Sequence, residues 1–312
     1  MLLPPVKNIL DLAKKTGFTQ DGIEKIMRIA DLLEYIGASP WNKKFVIKGD
    51  AAFHMFYTDC MRLFNEIDID YTSDSRSYKE SDRDNIRNLL VKSIAVKGYV
   101  CVKQPNNDDY DITDSFTFAY TSLTRQKDTI KLNINYFNGE LLLNYDKLKL
   151  NNSIVKTSMP LNVMNINELI SSKIAAILDK ARPLELYDIY SVIHSQIKLN
   201  NTFLRKCSLF YSCVWNHGNI TGNDTTALDK IVKASVTKSL KPLLKLNDKF
   251  DFTVAIMEVK KYLTTLLVFN ASEEQFVSSY LKKDYQPDLL FDETDILVKI
   301  KDHPMAILKV TL

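Results

Sequence analysis

The sequence is poor in residues that punctuate or cross-link a chain. Its 312 residues include 8 glycines, 9 prolines and 4 cysteines, which disfavours long irregular stretches and leaves little for a disulfide framework. Cys60, Cys101, Cys207 and Cys213 show no Cys-x-x-Cys spacing, and no histidine stands at a metal-ligand interval from them. Free thiols in a reducing compartment are therefore expected. An excess of one charge is missing as well. The 41 basic residues against 38 acidic ones leave +3, so no bulk polycation steers the chain to nucleic acid, although a local basic surface stays open. No segment approaches the roughly 20 apolar residues needed to span a bilayer. The opening Met-Leu-Leu-Pro-Pro-Val-Lys lacks the apolar run of a signal peptide, and a cytoplasmic location is the expectation.

What is present belongs to a globular protein. Hydrophobic residues make up 46% and charged ones 25%, enough to bury a core and too apolar for disorder. The length allows one large or two ordinary domains. Val6, Ile9, Leu10 and Leu12-Ala13, then Ile23, Ile26, Met27, Ile29-Ala30 and Leu32-Leu33, recur at helical spacing. Asp21 is placed to cap the second run, and Gly37-Ala-Ser-Pro40 breaks it. Extended segments follow at Phe45-Val-Ile47, at Ile67/Ile69/Tyr71 alternating with acids, and at Ile130/Leu132/Ile134/Tyr136 alternating with Lys131, Asn133 and Asn135. Between the first two, Ala51 to Phe64 is apolar at helical spacing, with His54 and Cys60 read as core residues. The charged stretch from Tyr71 to Asn88 predicts a loop leading into a helix. From about Asn165 the pattern is helical almost throughout. The fold class expected is α+β, with a small mixed sheet in residues 1–160 and a helical domain in 161–312.

The chemistry-bearing feature is the strand Asn65-Glu66-Ile67-Asp68-Ile69-Asp70-Tyr71. Glu66, Asp68 and Asp70 lie two apart, so they project from one face with about 6.5 Å between neighbours. Three carboxylates on one face repel unless a cation answers them. A hard divalent ion such as Mg²⁺ takes oxygen ligands of this kind, and a solvated acidic face is the alternative. Ahead of the strand, Phe45-Val-Ile-Lys-Gly-Asp50 reads as strand, tight turn and helix start. A glycine there lets backbone approach a phosphate, and a helix start presents free amides to an anion. Lys173 adds an independent signal. On a helix from about Ile166 to Leu178 it falls inside the apolar arc of Ile166, Leu169, Ile170, Ile174 and Ile177. It must snorkel, pair with a core carboxylate or meet an anion. Asp188 points away from the Leu186/Tyr190/Ile193 arc and reads as solvated on periodicity alone. His303-Pro304 reads as a helix-start device, and Trp215-Asn-His-Gly218 as a loop.

Lys48-Gly49, Arg62-Leu63 and Asn65-Glu66-Ile67-Asp68-Ile69-Asp70 together resemble the KGG…RLTNDIDID pattern of the AbiEii/AbiGii-type nucleotidyltransferase toxins, within the DNA polymerase β-like nucleotidyltransferase superfamily. Ile130-Lys-Leu-Asn-Ile-Asn-Tyr136 resembles that family's central strand. Lys173-Ile-Ala-Ala-Ile-Leu-Asp-Lys-Ala-Arg-Pro-Leu-Glu-Leu-Tyr-Asp188 is similar to its Kx₂A…RDLYD segment, and His303-Pro304-Met305 to its C-terminal helix. The chain departs from the pattern at Asp50, at Glu66 in place of the first aspartate, at Phe64, at Leu184-Glu185, and at Asn133, where a third carboxylate is common.

The resemblance implies a nucleotidyltransferase fold and a Mg²⁺- or Mn²⁺-dependent transfer of a nucleoside monophosphate from an NTP to an acceptor hydroxyl. The tRNA 3′ end is the expected acceptor, with arrest of translation and abortive infection as the outcome in phage defence. It also implies a separately encoded antitoxin. Glu66, Asp68, Lys173 and Asp188 become candidate catalytic residues, and Glu66, Asp68 and Asp70 candidate metal ligands. Lys48, Gly49, Asp50, Arg62 and Lys173 become candidate nucleotide contacts. Transfer to a protein or small molecule, and a non-catalytic nucleotide-binding interaction protein, are the alternatives.

Overall fold

The computed structural model describes residues 6–72, 80–105, 113–136, 141–216 and 224–311. The chain divides into two compact units: Met1–Gly139 with Tyr145–Met164 and Leu244–Asn247, and Glu140–Asn144 with Asn165–Leu243 and Asp248–Leu312.

The first unit opens with helices α1 (Val6–Thr16) and α2 (Gln20–Gly37). Thr19, rather than the expected Asp21, caps α2: its hydroxyl accepts from the Gly22 amide at 3.1 Å. The shorter, extended Thr19 occupies the cap position, while Asp21 lies in the first turn, where its charge still favours the helix dipole. Then come β1 (Phe45–Lys48), α3 (Gly49–Ala52), β2 (Glu66–Tyr71), α4 (Glu80–Val96), β3 (Val100–Lys103), β4 (Thr113–Thr121), β5 (Lys127–Asn135), β6 (Asp146–Leu148) and β7 (Leu161–Val163). The strands form one seven-stranded mixed sheet in the order β3-β4-β5-β2-β1-β7-β6. β2 is central, antiparallel to β1 and parallel to β5. The mixed sheet expected from the alternation at Ile67–Tyr71 and Ile130–Tyr136 is therefore present.

The helix expected over Ala51 to Phe64 is shorter. α3 continues as one π turn, Phe53–Tyr57, and the Thr58 amide closes it on the Phe53 carbonyl. The chain then leaves helical geometry, with Cys60 at φ +47°. Cys60, Leu63 and Phe64 remain buried, so their apolar spacing marks a loop that faces the core rather than a helix. His54 is buried with them, stacked on Phe64 and edge-on to Phe53.

α4 is fixed to the sheet by charge. Arg83 and Arg87, one turn apart, converge on the fully buried Asp114 of β4 at 2.7 and 2.6 Å. Two guanidiniums on one carboxylate compensate the desolvation that a lone buried charge would suffer.

The second unit is helical: α5 (Ile166–Lys180), α6 (Pro183–Ile193), α7 (Asn201–Asn216), α8 (Lys233–Ser235), α9 (Phe252–Leu266), α10 (Ala271–Leu281), α11 (Thr294–Ile300) and α12 (Pro304–Thr311). Asn165 caps α5 through the Asn167 amide, Pro183 opens α6, and α10 carries a full capping box between Asn270 and Glu273. Ala175, Cys207, Phe210, Phe276, Phe291 and Ile300 belong to one apolar core. Within it, the buried Glu168 accepts from the amides of Leu142 and Leu143, each at 2.9 Å, and from the Tyr211 hydroxyl. These charge-assisted bonds tie the 141–144 segment to α5 and α7. Among the described residues no helix is long and apolar enough to cross a membrane.

Candidate active site

The acidic strand is built by its register. On β2, Asp68 lies opposite Lys48 of β1 and beside Asn133 of β5, while Glu66 lies beside Lys131. Alternation places the isoleucines of β2 in the core, with Ile67 and Ile69 almost fully buried, and the acids on the other face.

Each acid on this face has a different answer. Asp70 is buried and receives Lys48 Nζ at 2.5 Å. Glu66 is half exposed and receives Lys131 Nζ at 3.0 Å. Asp50, in the turn that follows β1, receives Arg62 Nη2 at 2.8 Å, and Arg62 also donates to the Leu63 carbonyl at 3.1 Å. Arg62 is almost fully buried, so it braces the turn from inside. Asp68 differs. Asn133 Nδ2 donates to its Oδ1 at 2.9 Å and to Glu66 Oε2 at 3.4 Å. Among the described residues no cation lies within ion-pair distance of Asp68. Burial pushes its carboxyl above the ordinary aspartate value. The Asn133 hydrogen bond and the field of Lys48 oppose that rise, while Glu66 and Asp50 add to it. Burial raises Asp70 as well, against the pull of Lys48.

Gly49 is required at this place. It has φ +64°, and a Cβ on it would lie 2.6 Å from Asp68 Oδ2. Both the left-handed backbone and the close carboxylate exclude any larger residue. The turn is therefore pressed directly against the central acid.

Lys48, Gly49, Asp50, Arg62, Glu66, Asp68 and Asp70 thus lie together in the first unit. Lys173 and Asp188 lie in the second, where they pair with each other at 2.7 Å, both buried. The solvated position read for Asp188 is corrected by this contact. The side chain is fully buried, because α6 turns it toward the lysine that α5 carries in its own apolar arc. Periodicity within one helix could not reveal a partner on the next.

Two positions that contact this acidic face carry no signal of their own in the sequence. Ser115 of β4 donates to Asn133 Oδ1 at 2.6 Å, which fixes the amide so that its NH₂ group faces both Glu66 and Asp68. Lys131 counters Glu66. Each follows from strand pairing distant in sequence, for which alternation supplies the face but not the neighbour.

Whether these groups suit a divalent cation can be judged from their atoms. Glu66 and Asp68 present carboxylate oxygens that converge on one amide nitrogen, and Asp68 has no ion-pair partner among the described residues. Hard oxygen donors of this kind fit Mg²⁺ or Mn²⁺.

A profile of the family described as "Nucleotidyl transferase AbiEii toxin, Type IV TA system" matches residues 31–256. Among solved structures the chain is similar to MenT4, a nucleotidyltransferase toxin of Mycobacterium tuberculosis, at 13% identity and a TM-score of 0.68, covering 88% of this chain and 94% of that one. JHP933 of Helicobacter pylori is a more distant likeness, at 16% identity and a TM-score of 0.46 over 83% of this chain and 92% of that one. No curated protein matches the sequence. With the acidic β2, the glycine turn against it and a family match over well more than half its length, this chain belongs to the AbiEii nucleotidyltransferase toxins of type IV toxin–antitoxin systems.

Proposed function

We propose that this toxin transfers a nucleoside monophosphate from an NTP to the 3′ hydroxyl of tRNA in a Mg²⁺-dependent reaction, and so blocks translation. The carrying observation is Asp68: a buried carboxylate, pressed against the Gly49 turn, bridged by Asn133 to Glu66 and answered by no cation among the described residues. Glu66 and Asp68 would hold the divalent ion, whose contribution is to neutralise charge on the transferring phosphoryl group. Gly49 lets the phosphates approach the backbone. Lys48, fixed by Asp70, offers a positive charge beside that turn. Arg62 cancels the charge that Asp50 brings to it. Asp70 serves here as the anchor of Lys48 more than as a third ligand. In the second unit Asp188 orients Lys173 through their 2.7 Å ion pair, and Lys173 is assigned to the phosphates. The acceptor hydroxyl attacks the α-phosphorus in line and pyrophosphate leaves, with rate arising from positioning and charge neutralisation. The antitoxin is a separate chain that suppresses this activity.

The test is incubation of the protein with Mg²⁺ and each labelled NTP in the presence of total tRNA, total protein and small hydroxyl acceptors. Label in tRNA is expected, and Asp68→Ala should abolish both transfer and toxicity while the protein still folds and melts cooperatively. Label in protein or small molecules alone would reject tRNA as acceptor. An Asp68→Ala protein that stays fully toxic would reject the carboxylate site itself. Calorimetry showing no metal-dependent NTP binding would favour a non-catalytic protein.

A further inference from the structure

We propose that Lys230, Lys233, Lys238 and Lys241 of the second unit form a docking surface for the phosphate backbone of an RNA acceptor; the inference rests on the reading of tRNA as acceptor.

The segment is unusual in a chain whose net charge is only +3. From Lys230 to Leu243 it carries four lysines and no acid. Its backbone is a succession of short helical turns: a 3₁₀ turn over Thr226–Lys230, then α8, a π turn over Val236–Leu240 and a 3₁₀ turn over Lys241–Leu243. Leu228, Ile231, Val236 and Leu240 are buried, which anchors the segment by one side. The four lysines are all exposed. Thr237 and Ser239 close the turns by bonding the carbonyls of Lys233 and Ser235. The lysines are therefore presented on an ordered backbone.

Their charge is not balanced locally. The flanking Asp229 is paired with Lys260 at 2.5 Å. On α6, which packs against the π turn, Glu185 pairs with Arg182 and Asp188 with Lys173. Among the described residues none of the four lysines makes an ion pair. Four like charges in one short segment repel, and among the described residues no ion pair offsets that repulsion.

The complementary partner is a polyanion. Ammonium groups on flexible stems act as point charges and suit phosphates without reading bases. A membrane surface is a poorer match. The exposed large apolar residue among these lysines is Val232, whereas interfacial binding calls for an apolar face with aromatic or long aliphatic anchors. Since the proposed acceptor is an RNA, the phosphates are assigned to it.

The experiment measures binding of labelled total tRNA to the full chain by fluorescence anisotropy across a salt series. It compares the parent with the quadruple Lys230→Gln, Lys233→Gln, Lys238→Gln, Lys241→Gln variant. The control is a second quadruple variant at exposed lysines elsewhere in the unit, Lys180→Gln, Lys282→Gln, Lys283→Gln and Lys301→Gln. Each phosphate that is no longer neutralised lowers the slope of log K against log salt by about 0.7–0.9. The first variant should bind at least tenfold more weakly at about 0.1 M salt, with a slope smaller by about 3–4, and keep its melting temperature. The control should change little. Equal weakening in both variants would show an effect of net charge alone and overturn the surface. Unchanged RNA binding together with abolished binding to phosphatidylserine vesicles or to an acidic peptide would transfer the surface to another partner and overturn it too. Binding is read without turnover. A failed transfer assay with intact lysine-dependent tRNA binding would therefore count against the proposed reaction, not against this surface.

Discussion

Gly49→Ala isolates the contact on which the site is built. At φ +64° an alanine costs about 1–2 kcal/mol for the left-handed backbone. Its Cβ would also lie 2.6 Å from Asp68 Oδ2, so the carboxylate must rotate away and release the 2.9 Å bond from Asn133. Loss of a hydrogen bond to a charged group adds about 1.5–3 kcal/mol. Gly98 supplies the control within the same unit. Its φ is +83°, yet a Cβ there would meet nothing within 4 Å. Gly98→Ala should therefore lose about 1–2 kcal/mol by backbone strain alone and transfer nucleotide at the parent rate. Gly49→Ala should lose about 2.5–5 kcal/mol in total, and its transfer rate should fall at least a hundredfold. Denaturant melts of both variants, beside the labelled-NTP assay, check the difference. Equal destabilisation with undiminished transfer by Gly49→Ala would refute the claim that the turn positions Asp68.

Three further outcomes follow from the same geometry. Lys173→Met leaves the fully buried Asp188 without its lysine and should destabilise the second unit by about 3–5 kcal/mol; the double variant Lys173→Met, Asp188→Leu should recover a large part, and chemical denaturation showing no recovery would deny that the pair is coupled. Titration of the native protein with a thiol reagent should label Cys101 first. Cys60, Cys207 and Cys213 are fully buried, and burial pushes the Cys60 and Cys213 thiols up to about 12, so three fast-reacting thiols would contradict the packing. Ala181 ends α5 in the left-handed region at φ +48°, a position that favours glycine; Ala181→Gly should raise stability by about 1 kcal/mol, seen as a higher melting temperature.

How much of the fold and site is legible in the sequence depends on the range of the interaction. Period-two alternation locates β1, β2 and β5, and helical spacing locates α1, α2 and α5, because each pattern is written within one element. Asp21 as the α2 cap and Ala51 to Phe64 as one helix are both local misreadings. Thr19 outcompetes Asp21 at the cap, and the π turn after α3 releases residues 58–64 into a buried loop whose apolar spacing mimics a helix. The candidate residues can be nominated from the sequence, but their pairings cannot. The lysine in the apolar arc of α5 signals a buried cation, but its partner Asp188 looks solvated when α6 is read alone. Ser115 and Asn133 meet only because β4 and β5 pair across a turn, which neither strand records in its own sequence.

Those pairings change what the acidic strand means. Of four neighbouring carboxylates, Lys48 answers Asp70, Arg62 answers Asp50 and Lys131 answers Glu66. The Lys131 contact is half exposed at both ends and holds Glu66 only weakly. Among the described residues Asp68 is met by a neutral amide, itself fixed by Ser115. Four acids against three cations leave one negative charge, and the geometry places it on the carboxylate that Gly49 touches. A third acid at Asn133 would add a second uncompensated charge to the same buried spot and raise the cost of folding before any cation arrives. With asparagine, the pair Glu66–Asp68 is held together by hydrogen bonds before the proposed metal would bind. Asn133→Asp should accordingly bind Mn²⁺ more tightly in calorimetry yet melt lower in metal-free buffer. A variant that melts higher without metal would show that Asn133 does not carry the balance assigned to it.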